Sequence, residues 1–253
     1  DSSFTLGAAV SAVMCSTGHS CIGILLSFLA GFLAGCITAL LDTKLKIQPL
    51  LAGILMMLSL YSINLRAMGG KANISLLYKP TIFNLPGGAF VQNNGSWIVS
   101  LTILLIVYMF LLLFLRTEFG LSLRATGDND RMVRALGGNT DFTILIGLAS
   151  SNGLVAASGG MIAQFQSFAD ISMGVGMTVI GLASVVIGEV VFGTRPLSRR
   201  LAAVILGSIL YRSIVALALD SGMPPTDLKL ISAVIVAAAL SSTTARDRIG
   251  FLK

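Results

Sequence analysis

Residues 97–115 read WIVSLTILLIVYMFLLLFL, nineteen positions without one charged side chain. At 1.5 Å of rise per residue such a helix spans about 28 Å, close to the roughly 30 Å hydrocarbon core of a bilayer. Working outward with the same ruler, further apolar runs lie near 4–18, 20–41, 48–68, 141–164, 171–193, 201–219 and 229–243. Composition agrees. The chain has 253 residues, 55% of them hydrophobic and 11% charged, against roughly 25% charged in an ordinary soluble domain. With a mean hydropathy of +0.90, it lacks the polar residues needed to cover a water-facing surface. The sequence therefore predicts an all-α, polytopic integral membrane protein, a single transmembrane domain over 1–253 with about eight membrane segments. The run at 4–18 is short for a full crossing, so a further N-terminal piece is expected ahead of it. The run ISMGVGMTVIGLASVVIGEVVFG (171–193) is rich in glycine. It is expected to be broken or partly re-entrant, which lipid tolerates only where protein or a cavity shields the backbone.

Orientation follows from the Lys/Arg distribution. With residues 116–140 inside, twelve of the 17 Lys/Arg residues fall on the inner side, four on the outer, and Arg212 within a span. The positive-inside rule then places 116–140 and the C-terminus in the cytoplasm, and 69–96 outside as a loop with some packed structure. Membrane lipid is the expected surrounding, and the net charge of +6 is read first as this topology signal. Nucleic acid is not expected as a partner, because no basic stripe with interleaved aromatics occurs.

The residue types needed for catalysis are absent from the sequence pattern. Cys15, Cys21 and Cys36 lack ligand spacing and read as small buried hydrophobes, and His19 alone cannot build a metal site. GGK at 69–71 lacks the rest of a phosphate-binding loop, and no nucleophile–base pair is evident. No catalytic residue, metal site or directly bound cofactor is expected.

Small residues recur at helical spacing: Gly31 with Gly35, Gly153 with Ala157 and Gly160, and Gly174, Gly181 and Gly188 seven apart. In lipid such residues let helix backbones approach closely. Two charges stand inside apolar runs, Glu189 and Arg212, where an ionised group costs at least about 2.5–3.5 kcal/mol unless it meets a partner or water. The turn TRPLSRR makes their helices antiparallel neighbours. A direct pair is one reading; separate structural roles are the other, since Glu189 lies close to the turn and Arg212 far beyond it. Asn64, beside Ser59 and Ser62, and Ser150 with Ser151 and Asn152 are candidates to line a pathway. Serines also commonly bond a carbonyl one turn back.

Between two apolar runs lies RATGDNDRMVRALGGNT (124–140). Residues 128–137 are predicted to form a short surface helix. Asp128 or Asp130 caps its start, and Gly137 with Gly138 ends it. Met132 and Leu136, four apart, share an apolar face, while Arg131 and Arg134 stay polar. Asn139 or Thr140 caps the next helix. Such an element suits docking into a groove on a cytoplasmic partner.

The stretch LRATGDNDRMVRALGGNTDF (123–142), followed by ASGGMIAQFQSF (157–168), resembles the cytoplasmic coupling segment and next helix of ABC-importer permeases, in the branch serving branched-chain amino acids and ribose. DSSFTLGAAVSA (1–12) is similar to the start of an early core helix in that branch. The segments at 40–77, 179–193, 206–219 and 227–236 look like a bacterial subgroup linked to aromatic or hydrophobic amino acid uptake. The likeness covers nearly the whole chain and is most specific over 42–77 and 124–250; family members carry a further N-terminal helix. It implies a non-catalytic permease subunit in the bacterial inner membrane that imports a small solute, an amino acid. The implied partners are a second permease copy, an extracytoplasmic solute-binding protein and a separate cytoplasmic ATPase that carries the ATP. Asp128–Gly137, including Asp128, Asp130, Arg131, Met132, Arg134, Leu136 and Gly137, are implied to couple to that ATPase. The competing readings are an ion-coupled secondary transporter using Glu189 and Arg212, and a membrane scaffold that transports nothing.

Overall fold

The computed structural model describes residues 1–84, 89–193, 195–220 and 222. These residues are almost entirely helical: α1 Ser2–Ser16, α2 Ser20–Thr43, α3 Pro49–Ala67, α4 Ala89–Arg116, α5 Glu118–Asp128, α6 Asp130–Ala135, α7 Thr140–Gln166, α8 Met177–Phe192 and α9 Leu197–Asp220. Two three-residue strands, β1 Asn73–Ser75 and β2 Phe168–Asp170, complete the set together with a 3-10 turn at Ile82–Asn84. Five of the described helices are long and apolar enough to cross a membrane: α2, α3, the Ser96–Arg116 part of α4, α7 and α9. Helices α1 and α8 are apolar but shorter, at 15 and 16 residues. The expected crossing at 229–243 lies outside the described residues, so five long spans and two short ones stand against the expectation of about eight.

The chain forms two compact units, Asp1–Val175 and a second beginning at Gly176. In the first, α1 is held among α2, α3 and α7. Small residues allow that contact. A Cβ on Gly7 would overlap the carbonyl of Ala156 on α7, and one on Gly159 would overlap the carbonyl of Phe4 on α1. Gly31 and Gly35 of α2 likewise lie against the α7 backbone at Asn152 and Ala149. Without hydrophobic drive between helices in lipid, such close backbone approach is a principal source of attraction. Ala8, Ala9 and Ala12 of α1 are fully buried with Ala163 of α7 and Leu76 of the following loop. Long apolar side chains point the other way. Leu25, Leu33, Leu50, Leu58 and Leu101 are all exposed, as expected of surfaces that meet lipid or another chain.

The described part of the loop after α3 is packed. Strand β1 pairs antiparallel with β2 in the register Asn73 with Asp170, Ile74 with Ala169 and Ser75 with Phe168. Two flanking bonds extend the ladder, from Leu76 N–H to Ser167 O and from Ile171 N–H to Ala72 O. Helix α4 begins at Ala89, inside the stretch 69–96 read as a loop. The run 171–193 is broken as expected. Residues 171–176 form turns, and Gly176, at φ 87°, starts α8 in a conformation that glycine tolerates far better than other residues.

In the second unit α8 and α9 form an antiparallel hairpin. Gly188 meets the Ala203 carbonyl and Gly207 meets the Ser184 carbonyl so closely that neither has room for a Cβ. The seven-residue glycine series does not form one interface. Gly174 packs on Asp1 and Thr5 of the first unit, Gly188 packs on α9, and Gly181 borders open space.

Candidate functional site

The segment joining α4 to α7 is two helices, not one. Thr117 caps α5 by accepting the Gly120 N–H at 3.2 Å. Phe119 anchors the helix between Phe114 of α4 and Phe142 of α7, with ring centroids 6.0 and 6.3 Å apart. The chain then extends at Asn129, φ −158°. Its Oδ1 accepts the Met132 N–H at 3.1 Å and starts α6. The expected cap at Asp128 or Asp130 is therefore corrected to the residue between them. A capping side chain must sit on the extended residue before the helix, and the break falls at 129. Asp128 closes α5, while Asp130 lies in the first turn of α6, where its charge favours the helix dipole.

Helix α6 ends at Ala135, followed by Gly137 in the left-handed region at φ 84°. Asn139 caps α7 through the Phe142 N–H at 3.2 Å. Arg134 spans the junction, donating to Thr140 Oγ1 at 2.7 Å and pairing with Asp141 at 3.0 Å. Val133 is the inward residue of α6, against Gly138. Met132 is 50% exposed and Leu136 79% exposed, and Arg131 is exposed beside them. Met132 on this capped helix and Leu136 just past its end are thus half and mostly uncovered, respectively, among the described residues. Leu123, Thr126 and Gly127 of α5 and Ile144, Gly147 and Leu148 of α7 line an open groove of about 230 Å³. Helix α5 was legible in a cap, Thr117, followed by apolar Phe119 and Leu123 at helical spacing.

The intramembrane candidates divide. Glu189 pairs with Arg200 of α9 at 2.8 Å, not with Arg212. Arg212 stands twelve residues past Arg200, about 18 Å further along the helix axis, which corrects the reading of a direct Glu189–Arg212 pair. Arg212 itself is exposed on α9. Ser150 bonds the Ile146 carbonyl of its own helix at 2.5 Å. Asn152 and Asn64 both turn towards α1. Asn152 Oδ1 accepts the Ser3 hydroxyl at 2.7 Å, and Asn64 Nδ2 donates to the Ser2 carbonyl at 3.2 Å.

One buried polar centre escaped the sequence reading. Gln164, 1% exposed, accepts the Ile82 N–H at 3.0 Å and donates to Ser11 Oγ at 2.9 Å and to the Ser20 carbonyl at 3.0 Å. It ties α7 to α1, α2 and the loop. Among the described residues no group of His, Cys, Asp and Glu is placed to hold a metal ion.

Residues 1–240 match the family of branched-chain amino acid transport system permease components. The chain belongs to this permease family. It is a polytopic membrane protein, a permease component of the kind that is the non-catalytic part of an ABC-type transport system. The permease is 40% identical over 243 residues to a tyrosine transport system permease protein of Clostridioides difficile, covering 96% of this chain and 80% of that one. It is 32% identical over 254 residues to an uncharacterised protein of Rickettsia prowazekii, covering 98% and 87%. It is also 28% identical over 244 residues to a galactofuranose transporter permease protein of Escherichia coli, covering 93% and 67%. No solved structure matches it. Membership implies an ATPase and a solute-binding protein as partners, with ATP used on the ATPase.

Proposed function

We propose that this permease is the membrane subunit of an ATP-driven importer for an amino acid, with tyrosine the first solute to test. The observation that carries the reading is the exposed pair Met132 on α6 and Leu136 just past its end, on a capped helix placed between two spans. An ATPase that accepts this pair in a groove would convert its ATP-driven closure into a movement of α6. Tyrosine is suggested by the name of the Clostridioides difficile relative and its 40% identity. Two permease copies line the path in this reading, and the solute-binding protein docks over 69–84. The charge bias supports an inner-membrane protein with α5, α6 and the C-terminus in the cytoplasm. The differential contact of the ATPase with α6 in its two states is what couples the two sites.

The test is uptake of labelled L-tyrosine by the permease reconstituted with its ATPase and binding protein. Uptake is expected to require ATP and to disappear in the double variant Met132→Asp, Leu136→Asp, while the ATPase alone still hydrolyses ATP. Uptake by the permease alone under a proton or sodium gradient would instead establish a secondary transporter.

A further inference from the structure

The midpoint of α7 carries a polar layer whose hydrogen-bond inventory is unbalanced. Asn152 stands at the centre of the 27-residue helix. Ser3 Oγ donates to Asn152 Oδ1 at 2.7 Å, and Asn152 Nδ2 donates to the Leu148 carbonyl at 2.9 Å. On the other side of α1, Ser2 Oγ donates to the Met57 carbonyl at 3.1 Å, and Asn64 Nδ2 donates to the Ser2 carbonyl at 3.2 Å. That carbonyl can only accept, so it fixes which way the Asn64 amide points. The consequence is an Asn64 Oδ1 that is buried and has no hydrogen-bond partner among the described residues, on a side chain whose residue is 1% exposed.

Such an orphan is costly, about 1–3 kcal/mol, and calls for an explanation. The inventory indicates its kind. The two serine hydroxyl protons and one amide proton of each asparagine are already donated to protein oxygens. Each asparagine keeps a second amide proton, but the one buried side-chain atom left without a partner among the described residues is an acceptor, Asn64 Oδ1. A buried acceptor left without a donor suits a ligand that donates hydrogen bonds. A protonated amine, with three donors and no acceptor, fits better than a carboxylate, which brings only acceptors.

We propose that Asn64, with Ser2, Ser3 and Asn152, receives the ammonium group of the transported amino acid within the membrane. This rests on the amino acid reading above. Asn64 Oδ1 is covered where α1 and α3 meet, so the ammonium reaches it when these helices part during the transport cycle. Binding then satisfies the orphan acceptor. The solute is therefore stabilised at a point the empty permease leaves strained, which is the condition for a ligand to favour one conformation over another.

The experiment compares Asn64→Leu and Asn64→Asp with the unaltered permease, all reconstituted with the ATPase and binding protein. Labelled L-tyrosine, L-leucine and D-ribose serve as solutes, and the melting temperature of each purified permease is recorded. Asn64→Leu removes the acceptor and is expected to raise KM for the transported amino acid about tenfold, the effect of losing one hydrogen bond to a charged group. Asn64→Asp keeps an acceptor oxygen and is expected to retain a KM within about threefold of the original, on the same scale. The des-amino analogue 3-(4-hydroxyphenyl)propionate is expected not to compete with L-tyrosine. A lowered melting temperature in both variants with unchanged KM would mean that the protein or a bound water serves Oδ1, and the proposal falls. Equal competition by the des-amino analogue overturns it too. Transport of D-ribose alone would overturn the amino acid reading and the ammonium assignment together, whereas amino acid uptake with an unchanged KM in Asn64→Leu overturns only the latter.

Discussion

The seam between α1, α2 and α7 and the short α5–α6 segment belong to one compact unit, yet they use their residues in opposite ways. In the seam, glycine and alanine are buried until backbones touch, and the buried hydroxyls of Ser11 and Ser27 bond carbonyls of neighbouring helices. In the segment, caps and an arginine clamp hold α6 in place while its larger apolar side chains stay uncovered. The seam is complete within one chain. The segment is ordered but unfinished, which is the condition expected of a surface that another protein covers. The difference teaches where sequence changes are felt: as lost folding in the seam and, in the proposed reading, as lost coupling in the segment.

Gly159→Val is expected to give the largest effect. The new side chain has no room against the Phe4 carbonyl, and overpacking at a backbone contact costs about 3 kcal/mol or more. Size-exclusion chromatography in detergent should show loss of the monodisperse peak; a normal yield would break the contrast at its strongest point. Next comes Gln164→Leu, which strips partners from the Ile82 N–H, Ser11 and the Ser20 carbonyl. A drop of about 2–3 kcal/mol should appear as a lower melting temperature. Asn139→Ala removes the α7 cap for about 1 kcal/mol, a smaller shift in the same assay. Smallest in stability is Met132→Ser with Leu136→Ser, within about 0.5 kcal/mol because both side chains are exposed. In that last pair ATP-driven uptake should nevertheless collapse. A large stability loss there would show that α6 is part of the folded core after all.

Much of this division is readable in the residues. Uncharged runs mark the spans, and Gly31 with Gly35 marks a tight contact, because a small residue every four positions forms one face of a helix. The rule fails for Gly174, Gly181 and Gly188, whose equal spacing crosses a break in the helix at Gly176 and so serves different neighbours. The α6 cap was ambiguous because Asp128, Asn129 and Asp130 are all good capping residues, and only the backbone bend selects one. Gln164 was hidden for another reason. A glutamine near a span end resembles an interfacial residue until α1, α2 and the loop converge on it. The pairing of β1 with β2 joins segments about ninety-five residues apart through strands of three residues, too short to show alternation. The Arg200 partner of Glu189 was obscured by distance along the chain, since the turn between the helices decides which arginine comes level.

The clamp formed by Arg134 has a mechanical consequence. It fastens the end of α6 to Thr140 and Asp141, the first turn of a 27-residue helix. That helix is a stiff rod about 40 Å long, bearing Asn152 halfway along and Gln164 near its far end. In the proposed reading, a push on Met132 or Leu136 passes through Arg134 into this rod and along it towards Asn152 and Gln164. A single helix then serves as the shaft between the docking segment and the polar layer.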